Sequence, residues 1–156
     1  MMSTRDILLA LFVALLWGFN FVVMKVGVGE LPPLLLAALR FFLAAVPFVF
    51  IWPRPDVPWR LIVAFGLLFG VVKFGLLFWA MRAGMPAGLS SVVLQTQVLF
   101  TVALAAVLLG EAVTRWQIAG LATALAGLTV IGTEWASAAF VPFMMVVAAA
   151  LAWSAA

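Results

Sequence analysis

The stretch LLWGFNFVVMKVG, residues 15–27, lies inside an apolar run that extends from Ile7 to about Val28. A run of this length can cross roughly 30 Å of hydrocarbon as an α-helix, at about 1.5 Å per residue. It nevertheless carries an amide at Asn20 and an ammonium group at Lys25, which are costly on a helix that faces lipid on every side. The stretch therefore predicts a transmembrane helix with one face turned toward protein or water.

The composition places most of the 156-residue chain in lipid, because 69% of its residues are hydrophobic and only 8% are charged. Soluble domains hold about 45–50% apolar and about 25% charged residues, and one core of this size could not hide the excess from water. The net charge of +3 comes from scattered residues without a basic cluster. We therefore expect the lipid bilayer, and no nucleic acid, as a partner.

Residue types that commonly carry catalysis are scarce. The sequence contains no Cys and no His, so it lacks thiolate ligands, the commonest metal ligand and the usual proton switch. It also lacks paired carboxylates and a phosphate-binding loop. We therefore predict that the protein is not an enzyme and uses no cofactor and no metal.

Proline and charged residues divide the chain into five complete apolar runs and the start of a sixth. Each complete run can cross the bilayer as a helix, whereas barrel strands would have about 10 residues and alternate in polarity. The sequence therefore predicts an all-α, polytopic transmembrane helix bundle. The predicted spans are Ile7–Val28, Pro33–Ile51, Leu61–Ala80, Ala87–Leu109 and Trp116–Glu134, with a sixth from about Ala138.

The arginines of the short loops predict the orientation. A cytoplasmic N-terminus leaves only Arg82 in an outer loop and puts Arg5, Arg54, Arg60 and Arg115 on the inner side. Because cytoplasmic loops carry the excess of Lys and Arg, this distribution favours a cytoplasmic N-terminus.

A weak internal repeat links the two ends of the chain. ALLWGF, residues 14–19, resembles ALAWSA, residues 150–155, and aligns Trp17 with Trp153. The copies lie in the first and the sixth span, an offset of five spans. An odd offset inverts the second copy relative to the first, as in the inverted repeats of secondary transporters.

The repeat predicts two structural units. Residues 1–135 form a first five-helix repeat, and residues 136–156 form the first helix of a second, inverted and truncated repeat. The missing part of the second repeat, or a partner chain, is then expected to complete the bundle. A complete protein of six spans is the alternative.

Three cations lie inside the predicted spans, where a charge costs at least about 2.5–3.5 kcal/mol near the helix centre. Arg40 comes about two helical turns after Pro33, and Lys73 comes about two turns before Ala80. Because Pro33 and Ala80 mark the outer ends of their predicted spans, both cations lie about 10 Å below the outer surface. Lys25 lies near the outer end of the first span. The pattern predicts a cationic vestibule, open to the outside, that binds the carboxylate or another anionic group of a small molecule.

Other interpretations of these cations stay open at this point. Lys25 can extend to the outer headgroups, and Arg40 can pair with Glu134 or with free helix carbonyls. Glu30 and Glu134 lie at outer ends of spans, and no carboxylate lies in the middle of a span.

The fourth run, which contains GLSSVVLQTQVLFT at residues 88–101, is the most polar. Its polar side chains form two helical faces, one with Ser90, Gln97 and Thr101 and the other with Ser91 and Gln95. One face can line a pathway while the other bonds to a neighbouring helix, and the sequence leaves both assignments open. The predicted substrate-binding or pathway residues are Trp17, Asn20, Lys25, Arg40, Lys73, Gln95 and Gln97.

Several stretches, taken together, resemble the EamA family of the drug/metabolite transporter superfamily, and in particular its bacterial exporters of cysteine and O-acetylserine. Besides residues 15–27, they are PPLLLAALRFFLAA (32–45), GMPAGLSSVVLQTQ (84–97) and LGEAVTRWQIAGLATALAGLTVIG (109–132). The resemblance implies ten helices in two inverted repeats in the bacterial inner membrane, of which this chain looks like the N-terminal half. The family's motif positions fall on Trp17, Gly18, Asn20, Lys25, Arg40, Gly110 and Glu111.

The residues and the resemblance together indicate a secondary transporter that exports small metabolites of the amino-acid type, such as cysteine or O-acetylserine. Arg40, with Lys25 or Lys73, would hold the carboxylate, and the glutamine-rich face of the fourth span would contact the polar remainder. Export of another substrate class, such as a drug-like cation, and a non-transporting half-size membrane subunit are the alternatives.

The predicted orientation can be tested by labelling, because the chain has no cysteine of its own. We expect a membrane-impermeant maleimide to label Ala83→Cys in intact cells and Asp56→Cys only after the cells are permeabilised. The reverse labelling pattern would contradict a cytoplasmic N-terminus.

Overall fold

The computed structural model describes residues 3–51, 53 and 56–156, and for residues 134–139 it describes the backbone alone. Every regular element in this part of the chain is helical, which confirms the predicted all-α transmembrane bundle. The elements are α1 (Thr4–Glu30), α2 (Pro33–Val49), α3 (Trp59–Phe65), a π-helix (Gly66–Lys73), α4 (Phe74–Arg82), α5 (Ala87–Leu94), α6 (Gln97–Leu109) and α7 (Arg115–Ser154).

Local sequence signals explain where several helices begin and end. Ser3 caps α1, and Thr114 caps α7 through the predicted capping box, in which its hydroxyl accepts from the N–H of Gln117. α2 begins at the predicted proline, Pro33, whose missing N–H is not needed in a first turn. α6 ends at Gly110, whose φ of 69° is the left-handed conformation that favours glycine.

The helices have the length and composition of membrane spans. Four stretches of the described chain are long and apolar enough to cross a bilayer, and they cover α1, α3–α4, α5–α6 and residues 115–133. Only Met24 and Val28 are buried in the 27-residue α1, so most of its apolar side chains face outward. The protein is therefore a multi-pass membrane protein whose outer surfaces suit lipid or further helices.

Two of the predicted spans contain irregular backbone that nothing in their sequence indicates. The third span widens into the π-helix Gly66–Lys73, a form that is frequent at functional sites. The fourth span divides between α5 and α6, where the N–H groups of Gln95 and Thr96 bond to carbonyls three residues earlier. Both irregular segments lie in transmembrane helices at polar side chains, as in transporters with discontinuous helices.

The predicted fifth and sixth spans form one helix, α7, whose two ends lie on different axes. Ile131 lines a hollow with Gln95, while the Ser154 hydroxyl donates to the carbonyl of Gln97 at 2.8 Å. A straight helix would separate Ile131 from Ser154 by about 35 Å, which these two contacts exclude.

The predicted boundary between residues 135 and 136 falls in the segment whose side chains lie outside the described part of the chain. The division into two repeats therefore stays a prediction.

The core of the bundle lies around α4. Leu77, Phe78, Ala80 and Met81 of this helix have no exposed surface. Helices α1 and α2 and the C-terminal part of α7 pack around them, with Val146, Ala149 and Ala150 of α7 also fully buried.

The C-terminal ends of α1 and α4 bind each other's cations. Lys25 of α1 donates to the carbonyls of Met81 and Met85, the second at 3.1 Å. Arg82 of α4 donates to the carbonyls of Leu31 at 2.9 Å and of Val28 at 3.4 Å. The last carbonyls of a helix lack partners within the helix and carry partial negative charge. This reciprocal clasp therefore joins the two helix ends through backbone carbonyls alone, as far as the described residues extend.

We expect Lys25→Met to lower the free energy of unfolding by about 2 kcal/mol, because hydrogen bonds from a charged group contribute about 1.5–3 kcal/mol. Unfolding of the purified protein in mixed micelles with increasing SDS measures the change. Arg60→Gln is the matched control, since Arg60 is exposed and surface changes usually stay within about 0.5 kcal/mol. Equal stability of Lys25→Met and the unaltered protein would contradict the clasp.

Candidate functional site

A cavity of about 230 Å³ lies between α1, α2, the third span and the end of α7. Four of the predicted pathway residues line it, namely Trp17, Asn20, Arg40 and Lys73. The rest of the described lining is apolar or aromatic and consists of Phe21, Met24, Phe41, Phe69, Phe74, Leu77, Leu94 and Trp153. The sequence therefore identified most of the polar groups of this cavity but not its walls.

Lys73 ends the π-helix and lies in a cage of aromatic rings. Its Nζ lies 3.7 Å from the ring centroid of Phe74, 4.0 Å from that of Trp153 and 4.5 Å from that of Phe69. Only 3% of the side chain is exposed. A cation within about 6 Å of a ring centroid is attracted by the negative face of the ring. Three aromatic faces therefore replace the carboxylate that a buried lysine usually has.

Arg40 of α2 lines the same cavity. Its Cζ lies 4.7 Å from the ring centroid of Phe74, and its Nη1 lies 3.1 Å from Sδ of Met24. A thioether is a weak acceptor, whereas a guanidinium has five N–H donors. Within the described residues, Arg40 has no other hydrogen bond. Its planar donor set is therefore available for a ligand.

The positive charge of the cavity is not compensated by the described residues. Arg40 and Lys73 contact the same ring, Phe74, and no Asp or Glu is among the described residues that line the cavity. The partner that the sequence offered for Arg40, Glu134, has a side chain outside the described part of the chain. Two cations in an apolar cavity favour an anionic ligand, because charge-assisted hydrogen bonds are strongest where water is excluded.

Both tryptophans of the internal repeat line this cavity. Trp17 is 62% exposed, and the ring of Trp153 lies with its centroid 4.0 Å from the Nζ of Lys73. Trp153 was singled out in the sequence only as the repeat partner of Trp17, and not as a site residue. The repeat was therefore the one sequence signal that could have placed it here.

Three predicted pathway residues lie away from the cavity. Lys25 belongs to the clasp between α1 and α4. Gln95 lines hollows between the fourth span and residues 115–133. Gln97 is half-buried, and its backbone carbonyl accepts from Ser154. A role of these three in a pathway stays a prediction.

A larger hollow of about 520 Å³ lies between α2 and the third span, beyond Phe41 and Phe69. Its described lining is entirely apolar and includes Gly66 and Gly70. A polar metabolite would find no partner there, so the smaller cationic cavity is the better candidate site.

Comparison with known proteins gives a family match for most of the chain. Residues 4–133 match the EamA-like transporter family. The chain is 46% identical to a "Probable amino-acid metabolite efflux pump" of Salmonella typhimurium in an alignment of 156 positions, which covers 98% of this chain and 52% of that protein.

Further relatives have the same extent. A protein of the same name in Escherichia coli K12 is 45% identical over 98% of this chain and 52% of its own length. The "Uncharacterized transporter YoaV" of Bacillus subtilis is 32% identical over 90% of this chain and 52% of its own length. The chain thus spans about half the length of these relatives. No solved structure matches it.

We expect Phe74→Leu to lower the free energy of unfolding by about 2–3 kcal/mol, because it removes the one described ring that contacts both Arg40 and Lys73 and each cation–π contact contributes up to about 2 kcal/mol. The same SDS titration measures the loss. Phe42→Leu is the control, since 62% of Phe42 is exposed. If both variants lost the same stability, the ring would have no special role in holding the cations.

Proposed function

Because the chain belongs to the EamA-like transporter family, we propose that it forms all or part of a secondary transporter that exports small metabolites of the amino-acid type. The observation that carries this proposal is the pairing of Arg40 with Lys73 in a cavity whose described lining holds no carboxylate. The names of the two enterobacterial relatives, which mention amino-acid metabolites, agree with it.

The substrate carboxylate would bind between the two cations. The guanidinium of Arg40 can bind both carboxylate oxygens at once, and its only described hydrogen bond is to a thioether. Lys73 adds a second positive charge to the lining of the same cavity. The mostly aromatic and aliphatic lining lowers the local dielectric constant, which strengthens these contacts.

The size and charge of the cavity favour a small metabolite over a drug-like cation. Its volume of about 230 Å³ lies below the roughly 300–1,000 Å³ of sites for drug-sized ligands. It corresponds to about seven or eight water molecules at roughly 30 Å³ each. The two fixed cations also repel a positively charged guest.

The proposed setting is the bacterial inner membrane, with the N-terminus in the cytoplasm. The transport cycle would rock the five-helix repeat of residues 1–135 against a second, inverted repeat that begins at residue 136. The presence of Trp17 and Trp153 on one cavity supports this arrangement, since equivalent positions of two repeats would then meet at the substrate.

We expect Arg40→Gln in the intact protein to reduce export of cysteine and O-acetylserine at least tenfold, because a neutral amide cannot replace the charged fork that holds the carboxylate. Lys73→Met should reduce it as well. Export is measured as the metabolite that accumulates in the medium of expressing cells, normalised to the amount of protein in the membrane.

Arg60→Gln is the control for this assay, because Arg60 is an exposed arginine outside the cavity. Export by Arg40→Gln at the rate of this control, with equal amounts of protein, would remove Arg40 from the mechanism.

A further inference from the structure

We propose that the cavity recognises its substrate by the carboxylate alone, and that it takes the 2-hydroxy or N-acyl form of a small amino acid at least as well as the zwitterion. The inference rests on the proposed function, because it concerns the same cavity. It extends the substrate class from amino acids to small monocarboxylates that carry no ammonium group.

The first support is the balance of charge. The described lining contributes two cations, Arg40 and Lys73, and no anion. A zwitterion adds no net charge and brings a third positive group into the same small volume. A monoanion of equal size brings the carboxylate without that group, so it avoids the repulsion by Arg40 and Lys73.

The second support is the scarcity of partners for an ammonium group. Asn20 is the only uncharged side chain in the described lining with an amide or hydroxyl group, and its Nδ2 lies 4.0 Å from Sδ of Met24. Its side-chain oxygen is thus the one amide acceptor that the described lining contains. One amide oxygen is little compensation for removing an ammonium group from water.

The third support is that the best aromatic faces are already occupied. Phe69, Phe74 and Trp153 could bind an ammonium group by cation–π attraction, but the Nζ of Lys73 lies 3.7–4.5 Å from their centroids. A substrate ammonium group would have to compete with Lys73 for these rings. A hydroxyl or an N-acyl amide avoids this competition and can still bond to Asn20.

The apolar part of the cavity suits an acyl group. Phe21, Leu77 and Leu94 belong to the described lining, and their side chains offer no polar group to the guest. The methyl group of an acetyl substituent therefore gains apolar contacts there, while a charged amine in the same place gains none.

Four probes, namely serine and three compounds related to it, test the inference. Serine is the zwitterion, glycerate has a hydroxyl in place of the ammonium group, N-acetylserine has a neutral amide, and ethanolamine lacks the carboxylate. Their dissociation constants are measured by equilibrium binding to the intact protein in nanodiscs of zwitterionic lipid. We expect glycerate and N-acetylserine to bind as tightly as serine or more tightly, and ethanolamine to bind at least tenfold more weakly than serine.

The order of the probes is measured on the unaltered protein, so it does not depend on whether a variant folds. Arg40→Gln and Arg40→Lys serve as additional variants, and both should weaken glycerate and serine by similar factors. Arg60→Gln should leave all four dissociation constants unchanged.

Two outcomes would overturn the inference in different ways. Serine bound at least tenfold more tightly than both glycerate and N-acetylserine, with all three dependent on Arg40, would reject carboxylate-only recognition and leave the proposed function standing. No binding of any carboxylate by folded protein would reject the proposed function together with this inference.

Discussion

The structure depends on how two cations are held in an apolar helix bundle without a carboxylate among the described side chains. A charge inside a transmembrane helix costs at least about 2.5–3.5 kcal/mol on insertion scales. Contact with the ring of Phe74 offsets part of this cost for both Arg40 and Lys73. Lys73 also contacts the rings of Phe69 and Trp153. Aromatic faces attract a cation but do not neutralise it. The cations are therefore held in place while their charge stays available to an anionic guest.

The rest of the fold positions these two side chains. The π-helix ends at Lys73, so the change from π- to α-helical backbone occurs at the residue that enters the aromatic cage. The clasp of Lys25 and Arg82 joins α1 to α4, the helices that carry Asn20 and Phe74. The two kinds of cation thus have different tasks. Those of the clasp bind backbone carbonyls, and those of the cavity have no oxygen partner among the described residues.

Depth along the helices could be read from the sequence, because span ends are marked by proline and charge. Counting from Pro33 and from Ala80 put Arg40 and Lys73 at the same level, and the structure places both against Phe74. The sequence did not predict as well which way each side chain points around its helix. Lys25 was also predicted to lie in the outer part of its span, but it donates to the backbone carbonyls of Met81 and Met85. The pattern of side chains in a sequence does not reveal a backbone acceptor.

Other parts of the site escaped the sequence for definite reasons. A π-helix has no reliable sequence signature, so the regular helix predicted over Leu61–Ala80 did not show the wider backbone of residues 66–73. The aromatic residues of the cage looked like ordinary apolar residues of a span. Trp153 became visible only through its alignment with Trp17, which shows that a weak repeat can carry more information about a site than composition does.

The central claim is that Arg40 and Lys73 form an uncompensated cationic site, and an anomalous-scattering anion tests it most directly. A crystal structure of the intact protein grown with bromide should show an anomalous peak in the cavity, in contact with both side chains. A carboxylate side chain paired with either cation, and no bromide in the cavity, would contradict the claim.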